Sequence, residues 1–304
     1  MEYLELGGSS SIVSVIGQGC STFGFHEKEE IKAIQLGLDL GMNLIDTAED
    51  YSFGLSEKVI GKAIKERRDE VFIATKVSPV NLSFDKLLKS AKRSRDILNI
   101  DIIDLYQIHF PNPTVPIKET MKAMEILVKD GYIKHIGVSN FSIDDLKEAQ
   151  TVMSNEKISS IQVPYNLLQR NIETDLLHYC QKEHITVIAY SPLASGKIVS
   201  NQNLTDIATN YRKSASQIAL NWIISKQDVV VIPRSKSLEH IRENVESCGW
   251  RLSSIDMKTI DLEFKEYVQA RQYQDKSIRN TMFSFVVQYL PRPLMIFLKK
   301  IKKK

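Results

Sequence analysis

Val71-Phe72-Ile73-Ala74-Thr75 is apolar at its first four positions and lacks the apolar–polar alternation of a strand that faces water on one side. Such a run reads as a strand buried on both faces, as in a parallel sheet. The same reading extends outward, to 43–45 and 13–16 upstream and to 102–108, 133–138, 158–163, 186–189 and 229–232 downstream. Between these short Val/Ile-rich runs lie longer amphipathic stretches at 27–40, 55–66, 84–98, 116–129, 143–153, 173–183, 215–225 and 238–247. Ser83 and Ser142 stand as N-caps, Pro116 falls at a first turn, and Ile31, Ile34 and Leu38 share one stripe of the first helix. Eight strands alternating with eight helices predict an α/β fold, a (β/α)8 TIM barrel. A doubly wound open sheet is the competitor, but Gly17-Gln18-Gly19 is a lone G-x-G and no G-x-G-x-x-G follows the first strand. Residues 3–11 are expected to form a hairpin with Gly7-Gly8 at its turn, plugging the barrel bottom.

The composition, 43% hydrophobic and 25% charged over 304 residues, suits a full-sized core and excludes disorder. No run of 18 uncharged apolar residues predicts a transmembrane helix, and Met1-Glu2-Tyr3-Leu4-Glu5 lacks the regions of a signal peptide. Cys20, Cys180 and Cys248 are odd in number and contain no C-x-x-C pair, so a cytoplasmic location without disulfides or structural zinc is expected. The net charge of +3 hides an asymmetry. Residues 271–304 carry nine Lys/Arg against one acid, while 1–270 carry 31 basic and 36 acidic residues. The body is mildly acidic, so no nucleic-acid partner is expected.

In a barrel, polar residues at the C-terminal ends of strands point into the mouth. Those ends supply Asp46, Lys76 and His109, and Tyr51 lies five residues past Asp46. Singly, each has an ordinary reading as a turn cap, a rim charge, a core histidine and a loop aromatic. Together they make an acid. A lysine ammonium beside the tyrosine favours the phenolate, Asp46 holds the lysine, and His109 orients a carbonyl oxygen toward the tyrosine. No metal is required, since neither H-x-H nor carboxylate–histidine ligand spacing occurs.

Longer stretches around these residues carry a resemblance. They are Gly41-Met-Asn-Leu-Ile-Asp46-Thr-Ala-Glu-Asp-Tyr51, Ile73-Ala-Thr-Lys76-Val and Asp104-Leu-Tyr-Gln-Ile-His109. Further on come Lys134-His-Ile-Gly-Val-Ser139-Asn140-Phe, Ile161-Gln162-Val-Pro-Tyr-Asn166, Ile188-Ala-Tyr190-Ser-Pro-Leu-Ala-Ser195-Gly and Val231-Ile-Pro-Arg234-Ser235. In this order and spacing they resemble the aldo-keto reductase superfamily over residues 1–265. The resemblance implies a catalytic tetrad of Asp46, Tyr51, Lys76 and His109 with Tyr51 as general acid. It implies that Ser139, Asn140 and Gln162 hold a nicotinamide carboxamide and that Tyr190 stacks on the ring. Ser191, Leu193 and Ser195 fall on the loop over the pyrophosphate, with Lys197 as an added charge or simply a solvated one. Arg234, Ser235 and Lys236 look like a 2′-phosphate pocket, and Glu243 and Asn244 match adenine-side contacts. NADP(H) is therefore the implied cofactor. His240 stands where many members carry arginine, which leaves room for NADH to be tolerated. Ser21 and Phe110 replace two pocket tryptophans, implying a roomier or more polar substrate pocket.

The implied division is a reductase barrel over 1–265 and an atypical C-terminal extension over 266–304. Within the latter, 281–298 is apolar and aromatic, Pro291 and Pro293 forbid one continuous helix, and five lysines follow. Packing over the barrel, peripheral membrane contact through 281–304 and a subunit interface are the open readings. For function, NADPH-dependent reduction of an aldehyde or ketone leads. The alternatives are a cofactor-sensing regulatory subunit with the same barrel, and Schiff-base chemistry at Lys76.

Overall fold

The computed structural model describes residues 1–272, of which Met1–Met257 form one compact unit. The chain opens with a hairpin in which β1 (Tyr3–Glu5) pairs antiparallel with β2 (Ile12–Ser14). Eight parallel strands follow: β3 (Gln18–Gly19), β4 (Leu44–Asp46), β5 (Phe72–Val77), β6 (Ile103–Ile108), β7 (Ile133–Ser139), β8 (Ile158–Pro164), β9 (Thr186–Tyr190) and β10 (Val229–Val231). Each is hydrogen-bonded to the next in chain order. Bridges Ile16–Val231 and Gly19–Arg234 bring the last strand beside the first and close the barrel.

Helices return the chain between strands, as parallel pairing requires. They are α1 (Glu27–Asp39), α2 (Leu55–Ala63), α3 (Phe84–Leu98), α4 (Ile117–Lys129), α5 (Ile143–Val152) and α6 (Leu176–Lys182). Two helices, α7 (Gln202–Tyr211) and α8 (Ala215–Ile224), separate β9 from β10, and α9 (Leu238–Val245) and α10 (Ser254–Gln272) follow β10. Their starts are chemically marked. Ser142 forms a complete capping box with Asp145, Ser214 does the same with Gln217, and Asn201 accepts from Leu204 N. Ser83 occupies the N-cap of α3 without a side-chain cap; the Phe84 amide donates instead to Glu119.

The expected hairpin is present, but the run at 13–16 is not the first barrel strand. Its first half is β2, and the barrel strand proper is β3. The polar side chains at 14 and 43 reroute the chain between them. Ser14 N donates to Asn43 Oδ1 at 2.7 Å and Ser14 Oγ donates to Ile16 O at 2.8 Å, redirecting the backbone within one apolar run. The helix expected from 173 begins at Leu176, where the Asp175 carboxylate accepts from the Leu176 amide.

The barrel floor is apolar. Leu6 and Val13 from the hairpin pack with Leu44, Phe72, Ala74, Leu105, Ile188, Val230 and Ile232. Gly7 makes the hairpin turn at φ +56°, where an added Cβ would lie 2.4 Å from the Ser159 carbonyl oxygen, so only glycine fits. Its amide donates to Thr186 Oγ1 at 2.8 Å, tying the turn to the bottom of β9. No helix among the described residues is long and apolar enough to cross a membrane. The boundary expected at 265 falls within α10, and the membrane-surface, packing and interface readings of 281–304 lie outside the described residues.

Candidate active site

Strand periodicity carries the chemistry to the mouth. Leu44 on β4 and Phe72 and Ala74 on β5 face the barrel core. Alternation by two puts Asp46 and Lys76 on the same inward face, one step nearer the C-terminal end. Neither residue has an exposed surface to speak of, at 2% for Asp46 and 0% for Lys76.

The Lys76 ammonium uses all three of its donors. Nζ lies 2.8 Å from Asp46 Oδ2, 2.7 Å from Thr47 O and 3.2 Å from the Tyr51 hydroxyl. Burial lowers the Lys76 pKa while the Asp46 carboxylate opposes that shift. The His109 ring packs edge-on against Tyr51 with centroids 5.5 Å apart and against Phe110 at 5.2 Å. Burial likewise lowers the His109 pKa, against the pull of Asp50, and keeps the imidazole neutral near pH 7.

The amide residues join the same network. Asp46 Oδ1 accepts from Gln162 Nε2 at 2.6 Å, and the Gln162 carbonyl accepts from both Ser139 Oγ and the Asn140 amide. Asn140 sits at φ +62°, a left-handed conformation that asparagine tolerates. Its side chain donates to His109 O and Ser139 Oγ and accepts from the Tyr190 hydroxyl at 3.0 Å. Burial pushes the Tyr190 phenol up to about 12, so it remains a donor. Asn140, Ser139, Gln162 and Tyr190 thus converge beside the Asp46–Lys76–Tyr51 cluster.

The remaining expected residues occupy two loops. Ser191, Ala194, Ser195 and Gly196 all have positive φ, so 191–196 is a tightly curled segment, held by Asn166 Nδ2 donating to Ser191 O. Successive left-handed turns of this kind form backbone concavities that suit anions. Leu193 begins the short turn there and Lys197 is exposed. After β10, Gly19 N and Gln18 Nε2 donate to the carbonyls of Pro233 and Ser235, fixing that loop beside β3. Arg234, Lys236 and His240 are exposed, and neither cation is paired with a carboxylate among the described residues. Ser235 Oγ accepts from Ser237 N. Glu243 accepts a hydrogen bond from Ser214, linking α8 to α9, and Asn244 is buried. Ser21 is exposed on the loop after β3. No group of three His, Cys, Asp or Glu with metal-holding geometry occurs among the described residues.

A profile of the Aldo/keto reductase family matches residues 15–262. The chain belongs to that family. This aldo/keto reductase is 36% identical over 266 residues to the methylglyoxal reductase YeaE of Escherichia coli (strain K12), covering 85% of this chain and 93% of the relative. It superposes with a TM-score of 0.83 on a thermostable aldo-keto reductase crystallised with the inhibitor epalrestat, at 39% identity over 86% of this chain and 99% of the other. A Klebsiella pneumoniae aldo/keto reductase in complex with NADP and acetate gives the same TM-score at 32% identity, covering 86% and 95%.

Two acidic residues of this aldo/keto reductase were not singled out from sequence. Asp50 places Oδ2 3.8 Å from His109 Nδ1. Its signal was adjacency to Tyr51, which a reading of strand ends passes over. Glu57 is fully buried behind β5 and accepts from Thr75 Oγ1 at 2.6 Å. Burial pushes its carboxyl up to about 7. The folded state therefore keeps a proton that the unfolded chain releases at ordinary carboxylate values. Stability from this group is present in acid and is lost as pH rises toward about 7. At higher pH the loss approaches about 3 kcal/mol. Glu57→Gln is expected to melt higher relative to the parent at pH 8 than at pH 5; a Tm difference independent of pH would refute the assignment.

Proposed function

We propose that this protein reduces an aldehyde or ketone to the alcohol with NADPH, Tyr51 acting as general acid. The observation that carries the reading is the Lys76 ammonium joining buried Asp46 to the Tyr51 hydroxyl, with His109 beside them. The residues around the mouth fit the cofactor. Arg234 and Lys236, unpaired with a carboxylate among the described residues, suit with Ser235 a 2′-phosphate dianion, the curled 191–196 segment suits a pyrophosphate, and the amide cluster suits a carboxamide.

When bound, NADPH supplies hydride to the carbonyl carbon. The chain supplies the rest. His109 and the Tyr51 hydroxyl hold the carbonyl oxygen, and Tyr51 passes its proton to that oxygen as negative charge develops. Lys76 donates to the phenol oxygen and stabilises the charge left there, while Asp46 and Thr47 O keep the ammonium from turning away. With the cofactor bound, Ser139, Asn140 and Gln162 would hold the carboxamide and Tyr190 would pack on the nicotinamide ring, with Ser21 and Phe110 on the substrate side. Glu243 and Asn244 would hold the adenine side, and His240, standing where many members carry arginine, would permit NADH as a weaker substitute. The methylglyoxal activity named for the Escherichia coli relative supports a small carbonyl compound as substrate.

The assay is NADPH fluorescence on binding, then its consumption with a panel of aldehydes and ketones. Binding with consumption is expected; binding without consumption would transfer the barrel to a cofactor-sensing role. In the same assay Arg234→Ala is expected to weaken NADPH by roughly 10- to 100-fold, the range for a lost charge-assisted contact. NADH should change by no more than about twofold, within the spread of surface effects. Equal losses for both cofactors would remove the phosphate pocket from this loop.

A further inference from the structure

Asp50 has no part in the reaction just described, yet it is held against it. It lies on the loop after β4 between Glu49 and Tyr51, its side chain 20% exposed, with Oδ2 3.8 Å from His109 Nδ1. The neutral imidazole does not cancel its charge. Among the described residues no lysine or arginine pairs with Asp50, since the nearby Lys76 is committed to Asp46, Thr47 O and Tyr51. Its neighbour Glu49 is differently placed, with Oε1 accepting from Ser78 N at 2.6 Å and Asn81 Nδ2 at 3.0 Å.

The mouth is also partitioned by charge. The loops after β3, β4, β5 and β6, spanning 20–26, 47–54, 78–83 and 109–116, contain no lysine or arginine at all. Lys197, Arg234 and Lys236 all sit on loops after β9 and β10. Beyond the mutually neutralising Asp46–Lys76 pair, the fixed charge on the loops bordering Tyr51 and His109 is thus negative, and these cations lie instead on the loops after β9 and β10, the latter adjoining β3.

We infer that Asp50 is a specificity residue that sorts carbonyl compounds by charge. Uncharged and cationic compounds enter; those with a carboxylate close to the carbonyl are turned away. The inference rests on the reductase reading above. A carbonyl oxygen hydrogen-bonded to His109 stands about 3 Å beyond a ring whose Nδ1 lies 3.8 Å from Asp50 Oδ2, so a charged substituent beside it comes within about 10 Å of that carboxylate. At that separation in a partly buried cleft, one charge changes affinity by about tenfold in either direction.

The test is kcat/KM with NADPH for three benzaldehydes of similar size, substituted at position 3 with trimethylammonio, isopropyl or carboxylate. The parent protein, Asp50→Asn and Asp50→Ser are compared, so that the electronic effects of the substituents cancel between proteins. The parent is expected to prefer the cationic over the anionic aldehyde by about a hundredfold, and both variants to shrink that preference by about tenfold or more. A cation-to-anion ratio unchanged within about twofold in both variants would overturn the inference while leaving the reductase intact. Failure of the parent protein to reduce any of the three would remove the reductase reading and this inference with it.

Discussion

Tyr51→Phe is expected to cut kcat by about a hundredfold or more, the size of a lost general acid, with NADPH affinity within about twofold of the parent. The substitution deletes one oxygen and keeps the ring, so the edge-on packing against His109 persists. What disappears is the proton donor and the acceptor that Lys76 meets at 3.2 Å. Because Tyr51 takes no part in the Asp46–Gln162 bond or in the Asn140–Tyr190 bond, the proposed cofactor side is left standing. Stopped-flow single turnovers, together with fluorescence titration of NADPH, separate the two effects. Turnover near the parent rate would remove Tyr51 from the mechanism.

Lys76→Met is expected to lose turnover to a similar extent and also to lose stability. The side chain is fully buried, and its ammonium is the charge partner of an Asp46 carboxylate that is itself 2% exposed. Removing one member of such a pair leaves an uncompensated buried charge, at a cost of about 3–5 kcal/mol. Gln162 Nε2 and the rest of the barrel remain, but a single neutral donor does not replace an ammonium. The double variant Asp46→Asn with Lys76→Met is expected to regain a large part of the melting temperature and none of the activity. Calorimetry on Lys76→Met, Asp46→Asn and the double variant decides the matter: a single variant as stable as the parent would mean that the pair is not coupled in the way its geometry implies.

The strand pattern was legible where apolar runs stand alone between polar stretches. The run containing Phe72, Ile73 and Ala74 is β5, and the strand-end rule then delivers Asp46, Lys76 and His109 to one mouth. It failed at 13–16 because hydropathy does not register a change of partner. Val13 and Ile16 are equally apolar, though one belongs to the hairpin and the other bridges to Val231. Helix α7 was passed over because its inward stripe is short, only Leu204, Ile207 and Ala208 being buried, among polar neighbours. The links between Gln162 and Asp46, or Tyr190 and Asn140, span 116 and 50 residues and leave no local mark. Asp50 is marked in the sequence only by its place beside Tyr51 and by the lysines and arginines that its neighbouring loops lack, neither of which a reading of strand ends samples.

The hairpin floor bears on how the acid proposed at Tyr51 would be recharged. Leu6, Val13, Leu44, Phe72 and Leu105 form an apolar layer beneath Asp46 and Lys76. Such a layer offers a water chain no hydrogen-bond partners, so a phenol acting as the proposed acid would not be reprotonated from below. In the proposed reaction the proton given up in each cycle would return from bulk solvent through the opening by which the alcohol departs. Product departure and restoration of the acid would thereby fall in sequence, the acid being rearmed only after the opening is clear.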